Sequence, residues 1–216
     1  MTNLMPGTKF VIKEKFMVNI GVLASGRGTN LQAIIEAIKE GRIDGKISIV
    51  ISDNHNAFAL KRAEQTNIET QYVNFKKFKN REDYDKEIIK SLEEKKVDLV
   101  VLAGYMRILT PYFIKTYKNK IMNIHPALLP SFPGLHAQRQ AVEYGVKVSG
   151  CTVHFVDEGM DSGPIILQKA VEVKDDDTEE SLAERILQEE HQIYPQAIQL
   201  FSQSRLIIKG RRVFIK

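Results

Sequence analysis

From residue 17 onward, hydrophobic positions follow two alternating rhythms. Short apolar runs rich in β-branched residues (VNIGVLA, KISIVIS at 46–52, ETQYVNF, VDLVVLAG at 97–104, KIMNIHP) read as strands. Between them lie stretches whose apolar residues recur every three or four positions. In the first, LQAIIEAIKE, Leu31, Ile34, Ile35 and Ile38 share one helical face. AFALKRAEQT, REDYDKEIIKSLEEKKV and TPYFIKTYK read as further helices. The second of these has an acidic start and a basic end, the order that suits the helix dipole. The third opens on Thr-Pro, a good helix start. Apolar strands alternating with helices predict a parallel sheet covered on both faces.

The pattern changes after Pro126. ALLPSFPGLHA holds two prolines and a glycine and reads as a loop, followed by a short helix, AQRQAVEYG. KVSGCTVHFVDEGMDSGPIILQKAVEV predicts two strands around a turn, antiparallel to one another. DTEESLAERILQEEHQIYPQAIQLF predicts a long amphipathic helix. Asp177 or Thr178 caps it, and Pro195 is expected to kink or break it. RLIIKGRRVFIK predicts a terminal hairpin. The expected fold class is therefore α/β: a mostly parallel twisted sheet, Rossmann-like in its N-terminal half, with a C-terminal antiparallel extension.

The 216 residues suit one large domain, here 17–216. Residues 1–16 carry no comparable pattern and are expected to be a tail, with Met17 a candidate true start. Net charge is +4, but the leader holds +2 and the last eight residues +4, leaving −2 on 17–208. That body lacks the basic excess of a nucleic-acid groove. The lone Cys151 permits no internal disulfide and fits a reducing compartment. There is no apolar run of membrane-spanning length and no secretory signal pattern, so the expected location is cytoplasmic.

Three constellations carry candidate chemistry. Ser25-Gly26-Arg27-Gly28-Thr29-Asn30 joins a strand to a helix. Glycines there let backbone amides approach an anion at the helix N-terminus, so a phosphate site is expected. The plainer reading is a tight turn with Asn30 as the cap. Leu31 stands where a dinucleotide fingerprint needs its third glycine, and Asp53 is at most a weak ribose-binding acid. Second, Asn123 and His125 lie two apart in a strand and project together from its C-terminal end, where ligands bind in open α/β sheets. An amide and an imidazole side by side suit oxyanion stabilisation and proton transfer. Third, Asp161 sits in an Asp-Ser-Gly-Pro turn. It gains chemical meaning only in contact with His125, where a carboxylate favours the imidazolium. No histidine or cysteine spacing suggests a metal site. Met106-Arg107-Ile108-Leu109, after the buried strand, reads by itself as packing plus a surface arginine.

Taken together, ASGRGTNLQAII at 24–35, LAGYMRIL at 102–109, NIHPALLPSFPGLHAQRQA at 123–141, GCTVHF at 150–155, the D-x-GPIILQ turn at 161–168 and EEHQIYP at 189–195 resemble the phosphoribosylglycinamide formyltransferases. The Asn-x-His-Pro-x-Leu-Leu-Pro segment with the D-x-GPII turn marks the wider folate-dependent formyl transferases. Two relatives fit less well. Methionyl-tRNA formyltransferases add a C-terminal tRNA-binding domain, and formyltetrahydrofolate deformylases add an N-terminal regulatory one. The resemblance implies formyl transfer from 10-formyltetrahydrofolate, as co-substrate, to glycinamide ribonucleotide. Another folate-dependent formyl transferase or a formyltetrahydrofolate hydrolase is the alternative. It further implies a catalytic trio of Asn123, His125 and Asp161. Gly28, Thr29 and Asn30 would hold the acceptor phosphate, and Glu190 its glycinamide end. Arg81 and Met106, Arg107, Ile108 and Leu109 would line the folate site. Residues 17–120 become the phosphate-binding half and 121–216 the catalytic and folate-binding half. No metal, nucleic acid or membrane partner is implied, and the expected state is a monomer or homodimer.

Overall fold

The computed structural model describes residues 17–216; the expected N-terminal tail lies outside the described residues. The five apolar runs of the first half form strands β1 (Val18–Leu23), β2 (Gly45–Ser52), β3 (Thr70–Tyr72), β4 (Leu99–Leu102) and β5 (Ile121–His125). All pair in parallel, in the order β3-β2-β1-β4-β5. The strand order reverses between β1 and β4. Their C-terminal ends open there into the crevice where doubly wound sheets bind ligands. Strands β6 (Val148–Phe155) and β7 (Ile165–Glu172) extend the sheet antiparallel beyond β5. The terminal hairpin of β8 (Leu206–Lys209) and β9 (Arg212–Ile215) joins it through one parallel pairing, Ile165 with Arg212.

Among the described residues six α-helices surround the sheet: α1 (Thr29–Lys39), α2 (Phe58–Glu64), α3 (Arg81–Glu94), α4 (Pro111–Thr116), α5 (Ala137–Tyr144) and α6 (Glu179–Ser202). The alternation of strand side chains feeds two separate cores. Val50 joins Val22, Leu31, Ile34, Ile186 and Tyr194 in one. Its neighbours Ile49 and Ile51 join Tyr84, Ile88, Leu92 and Phe113 in the other. Gly21 shows how close the second layer lies: an added Cβ would come within 2.4 Å of Leu92.

Side-chain caps set three of the six described helix starts, one of them at Asn80 before α3. Thr110 caps α4 ahead of Pro111, and Thr178 caps α6 in a reciprocal box with Ser181. Helix α3 ends at Glu94 with Lys95 as its cap, so the expected basic end falls just outside the helix. A short 3-10 turn at Phe75–Lys77, unmarked in the sequence pattern, follows β3. Two expectations change. Helix α6 is not broken at Pro195 but runs 24 residues through it. Buried residues on both sides, including Ile186, Tyr194 and Ile198, bind the helix to the sheet across the missing amide hydrogen bond. Nor does Asn30 cap α1; that place belongs to Gly28, whose φ of 68° suits a residue with no Cβ.

Tyr194 fastens α6 to the sheet. Its buried hydroxyl lies 2.9 Å from the carbonyls of both Leu102, the last residue of β4, and Met122, in β5. Tyr194→Phe leaves those oxygens without that donor. A loss of about 1–3 kcal/mol is expected in urea denaturation; an unchanged midpoint would refute the role.

Candidate active site

The turns after β1, β4 and β5 leave the C-terminal ends of the parallel strands, while the turn between β6 and β7 starts opposite Met122 and reaches Asn123 and His125. Asn123 and His125 extend from one face of β5, as their spacing predicts. Asp161 reaches them from the β6–β7 turn in a left-handed conformation, with φ of 48°. Its Oδ2 lies 3.3 Å from His125 Nδ1, and its Oδ1 accepts from Asn123 Nδ2 at 3.5 Å. The backbone amide of Gly134 donates to Asp161 Oδ2 at 2.8 Å and holds the carboxylate in place. The turn depends on Gly163, where a Cβ would fall 1.7 Å from the Phe155 carbonyl oxygen.

His125 is almost fully buried, and its Nε2 donates to the Phe132 carbonyl at 2.8 Å. Both ring nitrogens thus lie near oxygen atoms, Phe132 O and Asp161 Oδ2. His154 lies opposite Asn123 across the β5–β6 pairing. Its Nδ1 donates to the Phe155 carbonyl at 2.9 Å, which leaves Nε2 as an acceptor 3.3 Å from Asn123 Nδ2. Burial lowers the pKa of His154, in keeping with that neutral tautomer. The amide of Asn123 is therefore oriented by a histidine and a carboxylate together. Such an amide, imidazole and carboxylate group can stabilise a developing oxyanion and move a proton.

The glycine-rich turn follows β1, which β4 separates from β5 in the sheet. Ser25 N donates to Gly104 O at 3.1 Å, and Met106 N donates to Ser25 Oγ at 3.0 Å, so the turns after β1 and β4 are joined. Asn30, in the first turn of α1, donates through Nδ2 to Glu190 Oε2 at 2.8 Å. Glu190 is buried, and desolvation pushes its pKa up to about 7 despite that hydrogen bond. It precedes Tyr194 by one helical turn, roughly 6 Å along α6. Tyr194 in turn bonds the carbonyl of Met122, next to Asn123. One helix thereby links the glycine-rich turn to the strand bearing Asn123 and His125.

On the other side of the turn after β4, a cavity of about 230 Å³ is lined by Phe75, Arg81, Tyr84, Asp85, Met106, Arg107 and Ile108. Met106 and Ile108 are exposed, while Leu109 is buried in the core and is absent from this wall. Arg81 Nη2 donates to Ile108 O at 2.7 Å. Arg107 is not the surface arginine its context suggests. Its Nε lies 2.7 Å from Asp53 Oδ2, and its guanidinium sits 4.0 Å from the centre of the Phe75 ring. Asp53, weighed above as a ribose acid, is engaged there. Buried Asp85 accepts from both the amide and hydroxyl of Thr110 at 2.7 Å and so anchors the end of this turn. Desolvation raises the Asp85 pKa, against those hydrogen bonds.

The sequence alone marks no role for His154, Phe132, Gly134 or Asp85, because each acts through a contact made by folding. The β5–β6 register alone puts His154 opposite Asn123. Among the described residues, no group of three or more His, Cys, Asp or Glu side chains is arranged to hold a metal ion. None of their helices is long and apolar enough to cross a membrane.

Comparison with known proteins shows the family. The sequence model described as "Formyl transferase" matches residues 18–198. Phosphoribosylglycinamide formyltransferase of Escherichia coli (strain K12) is 47% identical over 189 residues, which cover 88% of this chain and 89% of that protein. The human trifunctional purine biosynthetic protein adenosine-3 is 49% identical over 187 residues, or 87% of this chain but only 18% of that longer protein. The crystal structure of glycinamide ribonucleotide transformylase 1 from Symbiobacterium toebii superposes with a TM-score of 0.92 at 52% identity, covering 94% of this chain and 95% of that one. With a family match over most of its length and the same fold, this chain belongs to the formyl transferase family.

Proposed function

We propose that this chain transfers a formyl group from 10-formyltetrahydrofolate to the amine of glycinamide ribonucleotide, within the cytoplasm. The observation that carries the reading is the meeting of Asn123, His125 and Asp161. In this reading Gly28, Thr29 and Asn30 receive the acceptor phosphate at the start of α1, where backbone amides and the helix dipole favour an anion. Glu190 engages the glycinamide end. The folate occupies the cavity bounded by Arg81, Met106, Arg107 and Ile108, whose arginines suit a carboxylate-bearing molecule.

The amine nitrogen attacks the formyl carbon, forming the new C–N bond and a tetrahedral species with a negative oxygen. Asn123 Nδ2 turns from its long contacts toward that oxygen, assisted by the proton on His125 Nδ1. Asp161 balances the imidazolium. Collapse breaks the bond to the folate nitrogen. The proton lost by the amine reaches that nitrogen through His125 or a water held by Asp161. The products are the formylated ribonucleotide and tetrahydrofolate.

The test is a formyl-transfer assay with purified chain, 10-formyltetrahydrofolate and glycinamide ribonucleotide. Equal amounts of both products, formed only with the acceptor present, are expected. Tetrahydrofolate released at the same rate without acceptor would instead favour the hydrolase reading, and no release would reject both.

A further inference from the structure

Three consecutive carbonyls of the glycine-rich turn are bonded from one side by the segment that follows β2. Asn54 Nδ2 donates to Ser25 O at 3.3 Å, Ala59 N to Gly26 O at 3.1 Å, and Arg62 Nε to Arg27 O at 2.9 Å. In a planar trans peptide the carbonyl and the following N–H point in opposite directions. Fixing these three oxygens toward α2 therefore turns the amides of Gly26, Arg27 and Gly28 away from α2. The turn packs so closely on that helix that a Cβ on Gly28 would come within 2.7 Å of Ala59 Cα.

Arg62 is the one charged donor of the three, and it also grips the neighbouring helix. Its Nη1 donates to Gln32 Oε1 at 3.1 Å, in the first turns of α1, and its guanidinium lies 4.8 Å from the centre of the Phe58 ring. The planar fork thus fixes both the Arg27–Gly28 peptide and the start of α1 against α2. Arg62 lies outside every motif that singled out the turn.

We infer that Arg62 is a positioning residue for the acceptor's phosphate, acting through the Arg27 carbonyl to present the Gly28 amide. This rests on the phosphate role proposed above for the turn. Without the arginine, the peptide plane is free to rotate and the amide must be ordered at the moment of binding.

The test compares Arg62→Ala and Arg62→Lys with the unaltered chain in steady-state formyl transfer, with inorganic phosphate as inhibitor. Arg62→Ala is expected to raise KM for glycinamide ribonucleotide and Ki for phosphate roughly tenfold, the effect of losing one charge-assisted hydrogen bond. Turnover at saturating acceptor and KM for the folate should stay within about twofold. Arg62→Lys, which keeps a charged donor without the fork, should recover part of the loss. An unchanged acceptor KM in Arg62→Ala overturns the inference, as does an equal rise in both KM values with falling turnover, which marks general damage. Phosphate that does not compete with the acceptor in the unaltered chain overturns the phosphate reading itself. Competition with an unchanged Ki in Arg62→Ala overturns only the role of Arg62.

Discussion

Replacing His125 with alanine is expected to lower turnover by roughly two to three orders of magnitude, about 3–4 kcal/mol of barrier. The imidazole is buried between the Phe132 carbonyl and the Asp161 carboxylate, so its removal deletes a donor that bulk water cannot easily replace. Asp161→Asn should fall in the same range by a different route. The amide keeps the shape but loses the negative charge that offsets the imidazolium. Because the two side chains act as a unit, the double variant should be little worse than either single one. Steady-state turnover, read beside a thermal unfolding curve for each folded variant, checks this. Activity within threefold of the unaltered chain in either single variant would sink the assignment. A double variant as poor as the product of the two losses would show that the groups act independently.

Glu190→Gln should make the protein more stable at alkaline pH and a worse enzyme. Burial raises the folded-state pKa of Glu190 from 4.5 to about 7, so the folded protein holds this proton more tightly than the unfolded chain does. Below the unfolded value both states are protonated and the native chain bears no penalty. As pH rises from about 4.5 to 7 the unfolded chain ionises first and stability falls; above about 7 the penalty is constant. At 1.36 kcal/mol per unit, it is on the order of a few kcal/mol. Glutamine carries no charge, so Glu190→Gln should exceed the native chain by about 2–3 kcal/mol at pH 8 and match it near pH 4. In the proposed reading the same carboxylate meets the acceptor, so KM for that substrate should rise. Denaturant titrations at both pH values, with the acceptor KM, test the pair of effects. A variant less stable than the native chain at pH 8 would refute the electrostatic account.

Both predictions depend on contacts that the sequence signals only in part. The Asn-x-His spacing is a local property of an extended chain, and it already implied that Asn123 and His125 project together. Strand and helix periods set the parallel half of the sheet. The glycines after β1 marked the turn that approaches α2. Asp161, by contrast, sits in a turn whose local composition reads as a turn and nothing more, and its chemical meaning comes from His125, 36 positions earlier in the chain.

What the sequence determined by itself is the set of elements with local causes: apolar strands, amphipathic helices, caps at Thr110 and Thr178, and the strand end bearing an amide and an imidazole. Tertiary structure decided the rest. It drew Arg107 from the surface onto Asp53 and Phe75, and Asn30 from a cap onto Glu190. It carried α6 unbroken through Pro195 and put His154 opposite Asn123. The physical reason is the range of the forces involved. Backbone propensity and hydrophobic period act over a few neighbouring residues. Side-chain pairing, desolvation and close packing depend on which distant segments the folded sheet brings together.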